Sequence, residues 1–193
     1  MKIAYIANIR IPTEKAHGLQ IMKTCEALAL AGQSVTLIVP TRDNLITADP
    51  FDYYKVALRF PVVRLENPDF VHWGFFGFLI QTLLFARKAK AYVKNSDADI
   101  VFGRDEMVLC SIPSVKPVMW ETHTGRSNRW AKNLAHRARG IIAITKGLKD
   151  LYISQGVAAD SIVVAPDAVD IAQFDAKIDR DDAMHAASGF QVE

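Results

Sequence analysis

The chain has 193 residues, half of them apolar and 23% charged, with 23 Lys and Arg against 21 Asp and Glu. That length suits one well-cored domain and is short for two, and the composition excludes a disordered or fibrous protein. A formal charge of +2 lacks the basic bias of a nucleic-acid binder, so no nucleic-acid partner is expected.

Lys2 to Asn8, "KIAYIAN", reads as a short buried first strand, almost wholly apolar. Its apolar run is too short for a secretory signal and no small-residue cleavage pattern follows, so the expected location is cytoplasmic. "GLQIMKTCEALALAG" then sets Leu19, Met22, Ala27, Leu28 and Leu30 around helical spacing and closes on Gly32, a helix stop. "SVTLIVP", Ser34 to Pro40, supplies strand two. A strand, helix and strand with such short joins predicts a right-handed parallel crossover. Thr41 to Asn67 is irregular and broken by prolines, with a short strand in "PVVRLEN".

Phe70 to Val93 predicts a long helix running to about Lys94. His72, Gln81 and two glycines interrupt an apolar run of roughly 17 residues, the lower limit for spanning a bilayer, so a buried or interfacial helix is expected instead. Packing into the core is the default for its aromatics Trp73, Phe75, Phe76 and Phe78. Docking at the inner face of a membrane is the alternative, supported by Arg87, Lys88 and Lys90 just behind them.

Asp99 to Phe102 is a fourth strand bounded by Gly103. "KPVMWETH" is a strand ending at Glu121, "SNRWAKNLAHRA" a helix, "GIIAIT" a strand, "KGLKDLYISQG" a helix stopped by Gly156, and "DSIVVAPDAVD" a last strand running into a loop. Six or seven strands, most followed by a helix, predict an α/β fold: a doubly wound, mostly parallel Rossmann-like sheet with helices on both faces. Cys25 and Cys110 lie far apart in apolar stretches and read as buried thiols. From Asp175 the chain is charged and loses hydrophobic spacing, so residues 1–174 form the expected domain and 175–193 a linker or the start of a further domain.

Open parallel sheets bind ligands outside the carboxyl ends of their strands. In the first such loop, "EKAHGLQ", Gly18 clears the path of a ligand, and the helix start offers N–H groups and a positive dipole end to a phosphate or carboxylate. Lys15 and His17 add donors. A tight turn at Gly18 with Lys15 in solvent accounts for the same residues equally well. One glycine is neither a dinucleotide fingerprint nor a P-loop, which disfavours a nicotinamide enzyme, and Asp43 reads as a solvated loop aspartate.

"WETHTGR" brings Glu121, His123, Thr124 and Arg126 past a strand end toward the same cleft. Arg104 in "FGRDE" is placed to grip an anion, with a bridge to Asp105 or Glu106 as the commoner alternative. Thr145 stands in the loop after strand six. There is no nucleophile elbow, no HExxH and no support for a metal site.

Together these segments resemble the N-terminal domain of the family 4 glycosyltransferases, two-domain enzymes of the GT-B fold, over nearly the whole chain. The resemblance rests on "PTEKAHGLQIMKTCEALALAGQSVTLIVP", "GRD", "WETH" and "ARGIIAITKGLKDLYISQGVAADSIVVAPDAVDIAQFD". It implies retaining transfer from a nucleotide-sugar donor to a sugar or lipid-linked acceptor, without cofactor or obligatory metal, and a cell-envelope polysaccharide as product class. It implies that Gly18 lies beside the donor diphosphate and that His123 is the catalytic residue at the donor sugar, so that "EKAHGLQ" holds the diphosphate edge of a donor or an anionic part of an acceptor, with Lys15 and His17 as its variable part. Thr145 is a further candidate for donor contact, and Arg104, Glu121, Thr124 and Arg126 are the candidates for the acceptor side. The family's nucleotide pocket, its diphosphate-binding Arg and Lys and its two spaced glutamates belong to a second domain absent from this sequence. The chain is therefore expected to be inactive alone and completed by that domain in cis or in trans. "AHG" stands where many members have paired glycines, and "DAVD" where many have "NGVD". A non-catalytic binding or interaction module of the same fold is the alternative.

Overall fold

The computed structural model describes residues 1–126, 128–169 and 171, so the expected linker at 175–193 lies outside the described residues. In chain order the elements are β1 (Lys2–Ile6), α1 (Ala16–Leu30), β2 (Ser34–Pro40), α2 (Pro50–Tyr53), β3 (Val62–Leu65), α3 (Gly74–Asn95), β4 (Ile100–Gly103), α4 (Glu106–Cys110), β5 (Val118–Thr122), α5 (Arg129–Arg137), β6 (Gly140–Ala143), α6 (Lys146–Ser154) and β7 (Ile162–Val164). The seven strands form one sheet in the order β3-β2-β1-β4-β5-β6-β7, and every pairing is parallel. The chain winds from β1 outward to β3, returns through α3, and winds the other way from β4. The winding therefore reverses between β1 and β4, the place where such sheets open a crevice.

Strand residues alternate between two cores, because successive side chains leave opposite faces. Ile3 and Tyr5 join Ile21, Met22, Cys25, Phe51 and Tyr54 beneath α1 and α2. Ala4 and Ile6 join Phe85, Ala89, Leu109, Leu134 and Tyr152 on the face covered by α3 to α6. Burial on both sides is why β1 and β2 read as apolar runs rather than alternations. The doubly wound α/β sheet is thus the observed fold.

Helix ends follow local chemistry. Gly32 takes φ 78, and the bonds Gly32 N to Ala29 O and Gln33 N to Leu28 O close α1. The buried stripe of α1 is Gly18, Ile21, Met22 and Cys25, whereas Leu19 and Leu30, expected among its apolar positions, are 40% and 71% exposed. The expected last strand is much shorter, since Pro166 has no N–H with which to extend the ladder beyond the Ala165 N to Ala143 O bond. Cys25 is buried and Cys110 half-buried.

The main departure is α3. Its sheet-facing side carries Gln81, Thr82, Phe85, Ala86, Ala89 and Val93, while Trp73, Phe75 and Phe76 are 61%, 73% and 75% exposed. The default of core packing for these aromatics is corrected. The rotation of the helix is fixed by a polar network: Arg42 Nη2 donates to Gln81 Oε1 at 2.7 Å and to Asn8 Oδ1 at 2.9 Å, and Asn8 Nδ2 donates to Thr82 Oγ1 at 2.9 Å. Turning the aromatics inward would strand these buried groups without partners. Among the described residues, no helix is long and apolar enough to cross a membrane.

Candidate functional site

At the β1/β4 reversal the strand ends leave a cleft of about 410 Å³. A Cβ at Gly103 would sit 2.5 Å from Ile6 O, so the glycine lets the two strands run close together up to the cleft. Tyr5, Asn8, His17, Gln20 and Phe78 line one side; Arg104, Asp105, Glu106, Glu121, His123, Thr124 and Arg126 line the other.

The centre is Glu121, in the last turn of β5's ladder and nearly buried. Its Oε1 lies 2.8 Å from Arg104 Nη2 and 2.6 Å from His123 Nε2. Burial alone would raise the carboxyl's pKa, but the His123 hydrogen bond and the Arg104 guanidinium outweigh it, so Glu121 is held below its ordinary value and ionised. Arg104 Nη1 also donates to Gln20 Oε1 at 3.0 Å. The alternative partners are occupied elsewhere. Asp105 caps α4 by accepting from Val108 N at 2.9 Å, with burial pushing its pKa up, and Glu106 accepts from Asn128 Nδ2 at 2.9 Å. Tyr5 Oη and Arg104 Nε are buried with no hydrogen-bond partner among the described residues.

His123 Nδ1 faces Asp167 Oδ2 at 3.7 Å, beyond hydrogen-bonding range. Glu121, His123 and Asp167 each bring one ligand atom within 4.8 Å of the others, which is metal-like spacing. Glu121 Oε1 and His123 Nε2 are already committed to each other, however. Glu121 Oε2, His123 Nδ1 and Asp167 are what the trio has to spare, fewer than the four ligands of a closed site among the described residues.

The remaining expected residues divide by position. His17 is half-buried in the cleft, its pKa lowered first by burial and then by the charges of Lys15 and Arg104. Lys15 is exposed at the N-cap of α1 and is not part of the cleft wall. Gly18 is buried under Tyr54, whose hydroxyl would lie 2.3 Å from a Cβ there, so protein fills the space that the missing side chain frees. Thr145 caps α6, its Oγ1 accepting from Leu148 N at 3.2 Å. Thr124 is exposed at the rim, its carbonyl accepting from Thr122 Oγ1 at 3.1 Å. Arg126 reaches Glu106 at 3.5 Å with its side chain 65% exposed. Sequence reasoning missed Tyr5, Asn8 and Gln20. Gln20 sat inside the quoted loop, and Tyr5 and Asn8 were the polar groups in an otherwise apolar first strand.

Glycosyltransferase Family 4 matches residues 18–173. No curated protein matches the sequence significantly. Among solved structures, Anabaena HepE in complex with UDP-glucose superposes with TM-score 0.64 at 15% identity, covering 97% of this chain and 49% of its own. The lipopolysaccharide outer core galactosyltransferase WaaB, apo form, gives 0.62 at 14% identity, covering 89% and 47%. The UDP-GlcNAc 2-epimerase of Neisseria meningitidis bound to UDP-GlcNAc gives 0.60 at 10% identity, covering 85% and 45%. The chain spans about half the length of these structures. At such identities they establish the shared fold, and a galactosyltransferase and an epimerase alike have it.

Proposed function

The chain belongs to glycosyltransferase family 4, and from that premise we propose that it is the acceptor-side half of an enzyme moving a sugar from a nucleoside-diphosphate donor to a glycan or lipid-linked acceptor. The observation that carries this reading is the cleft at the β1/β4 reversal, with His123 held by the ionised Glu121 and Glu121 held by Arg104. The fold is shared with epimerases, so it is the family match that favours transfer.

In this reading His123 presents Nδ1 to the donor sugar, and His17 and the start of α1 flank the diphosphate with N–H donors and a favourable dipole. Lys15 adds long-range positive charge at that edge rather than a wall contact. Thr124 and Arg126, at the opposite rim, meet the acceptor. Thr145 and Gly18 act through structure: one caps α6, the other seats Tyr54. Glu121 and Arg104 are reassigned from acceptor contacts to positioning residues for His123. The transfer retains anomeric configuration and uses no metal; chelation with EDTA leaves the rate unchanged.

A UDP-sugar donor is carried over from the UDP-glucose bound to HepE, and an envelope glycan acceptor from the lipopolysaccharide outer core named for WaaB. A nucleotide-sugar donor places the reaction in the cytoplasm. In this reading the nucleotide pocket belongs to a second domain, and turnover requires both domains.

The test is sugar-nucleotide turnover by the purified chain, alone and with a candidate second domain joined in cis or added in trans, across a donor panel. Turnover in the completed protein that disappears with His123→Ala supports the reading. A completed protein that binds the donor and epimerises it, or binds it without turnover, overturns it.

A further inference from the structure

The outer face of α3 is chemically out of place in water. Phe76, Ile80 and Leu83 follow at helical spacing on the side away from Phe85 and Ala89, and are 75%, 45% and 45% exposed. Trp73 and Phe75 widen this patch at the start of the helix. The same line continues through Arg87, Lys90 and Lys94, all exposed, and no Asp or Glu occurs from 70 to 96. One face of one helix is thus apolar for its first turns and cationic for its last, while polar Gln81 and Thr82 are buried on the other side.

We propose that this face docks the protein on an anionic phospholipid bilayer, lying on its surface without crossing it. Trp73, Phe75 and Phe76 enter the headgroup and upper acyl layer, where aromatic rings are favoured. Arg87, Lys90 and Lys94 rest on lipid phosphates, where each cation gains from the negative surface. Charge complementarity selects this occupant: a second copy of the chain would bring no acidic group on the same face to pair with those cations. Phe78 belongs to both the apolar tip and the cleft wall, so the docked protein holds its cleft mouth beside the headgroups. The inference rests on α3 alone and does not depend on the transfer reading.

The experiment is vesicle flotation of the full chain, with vesicles of equal parts phosphatidylglycerol and phosphatidylethanolamine and with vesicles of phosphatidylcholine. Wild type floats with the anionic vesicles and more weakly with phosphatidylcholine. Phe75→Ser with Phe76→Ser lowers partitioning at least about tenfold, with the thermal midpoint unchanged because both side chains are exposed in the folded state. Replacing Arg87, Lys90 and Lys94 by Gln lowers binding to the anionic vesicles about fivefold for each cation removed and leaves binding to phosphatidylcholine as it was. Failure of wild type to float with anionic vesicles, or equal flotation of the serine variant, overturns the proposal. So does a wild-type dimer in sedimentation that the serine variant dissolves, which would give the face to a second copy.

Discussion

His123 Nε2 lies 2.6 Å from Glu121 Oε1, two residues back along the same strand exit. Side chains two apart on a strand leave the same face, so the spacing in "ETH" itself brings carboxylate and ring together. With Glu121 ionised, Nε2 is the donor and Nδ1 is the nitrogen left for a ligand. Arg104 Nη2, from the loop just after β4, meets the same oxygen at 2.8 Å and keeps the carboxylate from turning away.

Glu121→Gln separates position from charge. In the completed enzyme kcat falls while KM for the donor stays near the wild-type value, and nitrogen NMR of His123 reports a mixed tautomer in place of a single one. Glu121→Ala goes further: it leaves Arg104, 17% exposed, without its carboxylate and costs about 3 kcal/mol of stability in denaturant unfolding. An unchanged tautomer and kcat in the Gln variant would rule out the positioning role.

Acid should weaken the fold in two steps. His17 has a folded pKa below its unfolded value of about 6.5. The unfolded chain then binds the proton more readily, and stability is lost as pH falls from that value toward the folded pKa. Glu121, also depressed, contributes stability that is complete above about 4.3 and is lost below it as the folded pKa is crossed. His17→Asn removes the upper step and leaves the lower one. Thermal midpoints measured across pH, with the same upper slope in both proteins, would contradict this.

Tyr5 carries a buried hydroxyl in the wall of the cleft that makes no hydrogen bond of good geometry among the described residues although the Arg104 guanidinium lies beside it, and burial drives its pKa up. A hydroxyl left unpaired costs stability. Tyr5→Phe therefore leaves the free protein as stable or more so, by about 1 kcal/mol. If the hydroxyl serves a bound ligand, the same change weakens ligand binding about fivefold. Calorimetry on the free protein and ligand titration of the completed one read the two effects separately; a destabilised free protein would mean that the hydroxyl is bonded after all.

The sheet was legible because its strands are short apolar runs with clear stops, such as Gly32 after α1 and Gly156 after α6, and because Arg104, Glu121 and His123 stand at strand ends that the sheet must gather. The pairing of Arg104 with Glu121 was not, since it spans two strands, and the local partners Asp105 and Glu106 looked closer in sequence. Helices α2 and α4 are too short to show a period. The exposed face of α3 was hidden for a different reason. A segment apolar on both sides does not announce which side is buried, and the choice was made by Asn8 and Arg42, distant residues that hydrogen-bond Gln81 and Thr82.

Gly18 is the residue where structural and family expectations part. A Cβ there would lie 2.3 Å from Tyr54 Oη and 2.5 Å from Thr13 Cγ2. The hydroxyl has little freedom to retreat, because it accepts from Thr13 N at 2.6 Å and donates to Thr13 O at 2.7 Å, pinning the loop before α1. Gly18→Ala should therefore cost about 1–3 kcal/mol by overpacking, with no ligand present. Tyr54→Phe removes the closest clashing atom, so the double variant should be less destabilised than the sum of the two singles, the sign of direct coupling. A donor-approach role would act differently: Gly18→Ala would leave unfolding unchanged and weaken only donor binding in the completed enzyme. Urea unfolding of the wild type, both single variants and the double variant separates packing at Gly18 from ligand access.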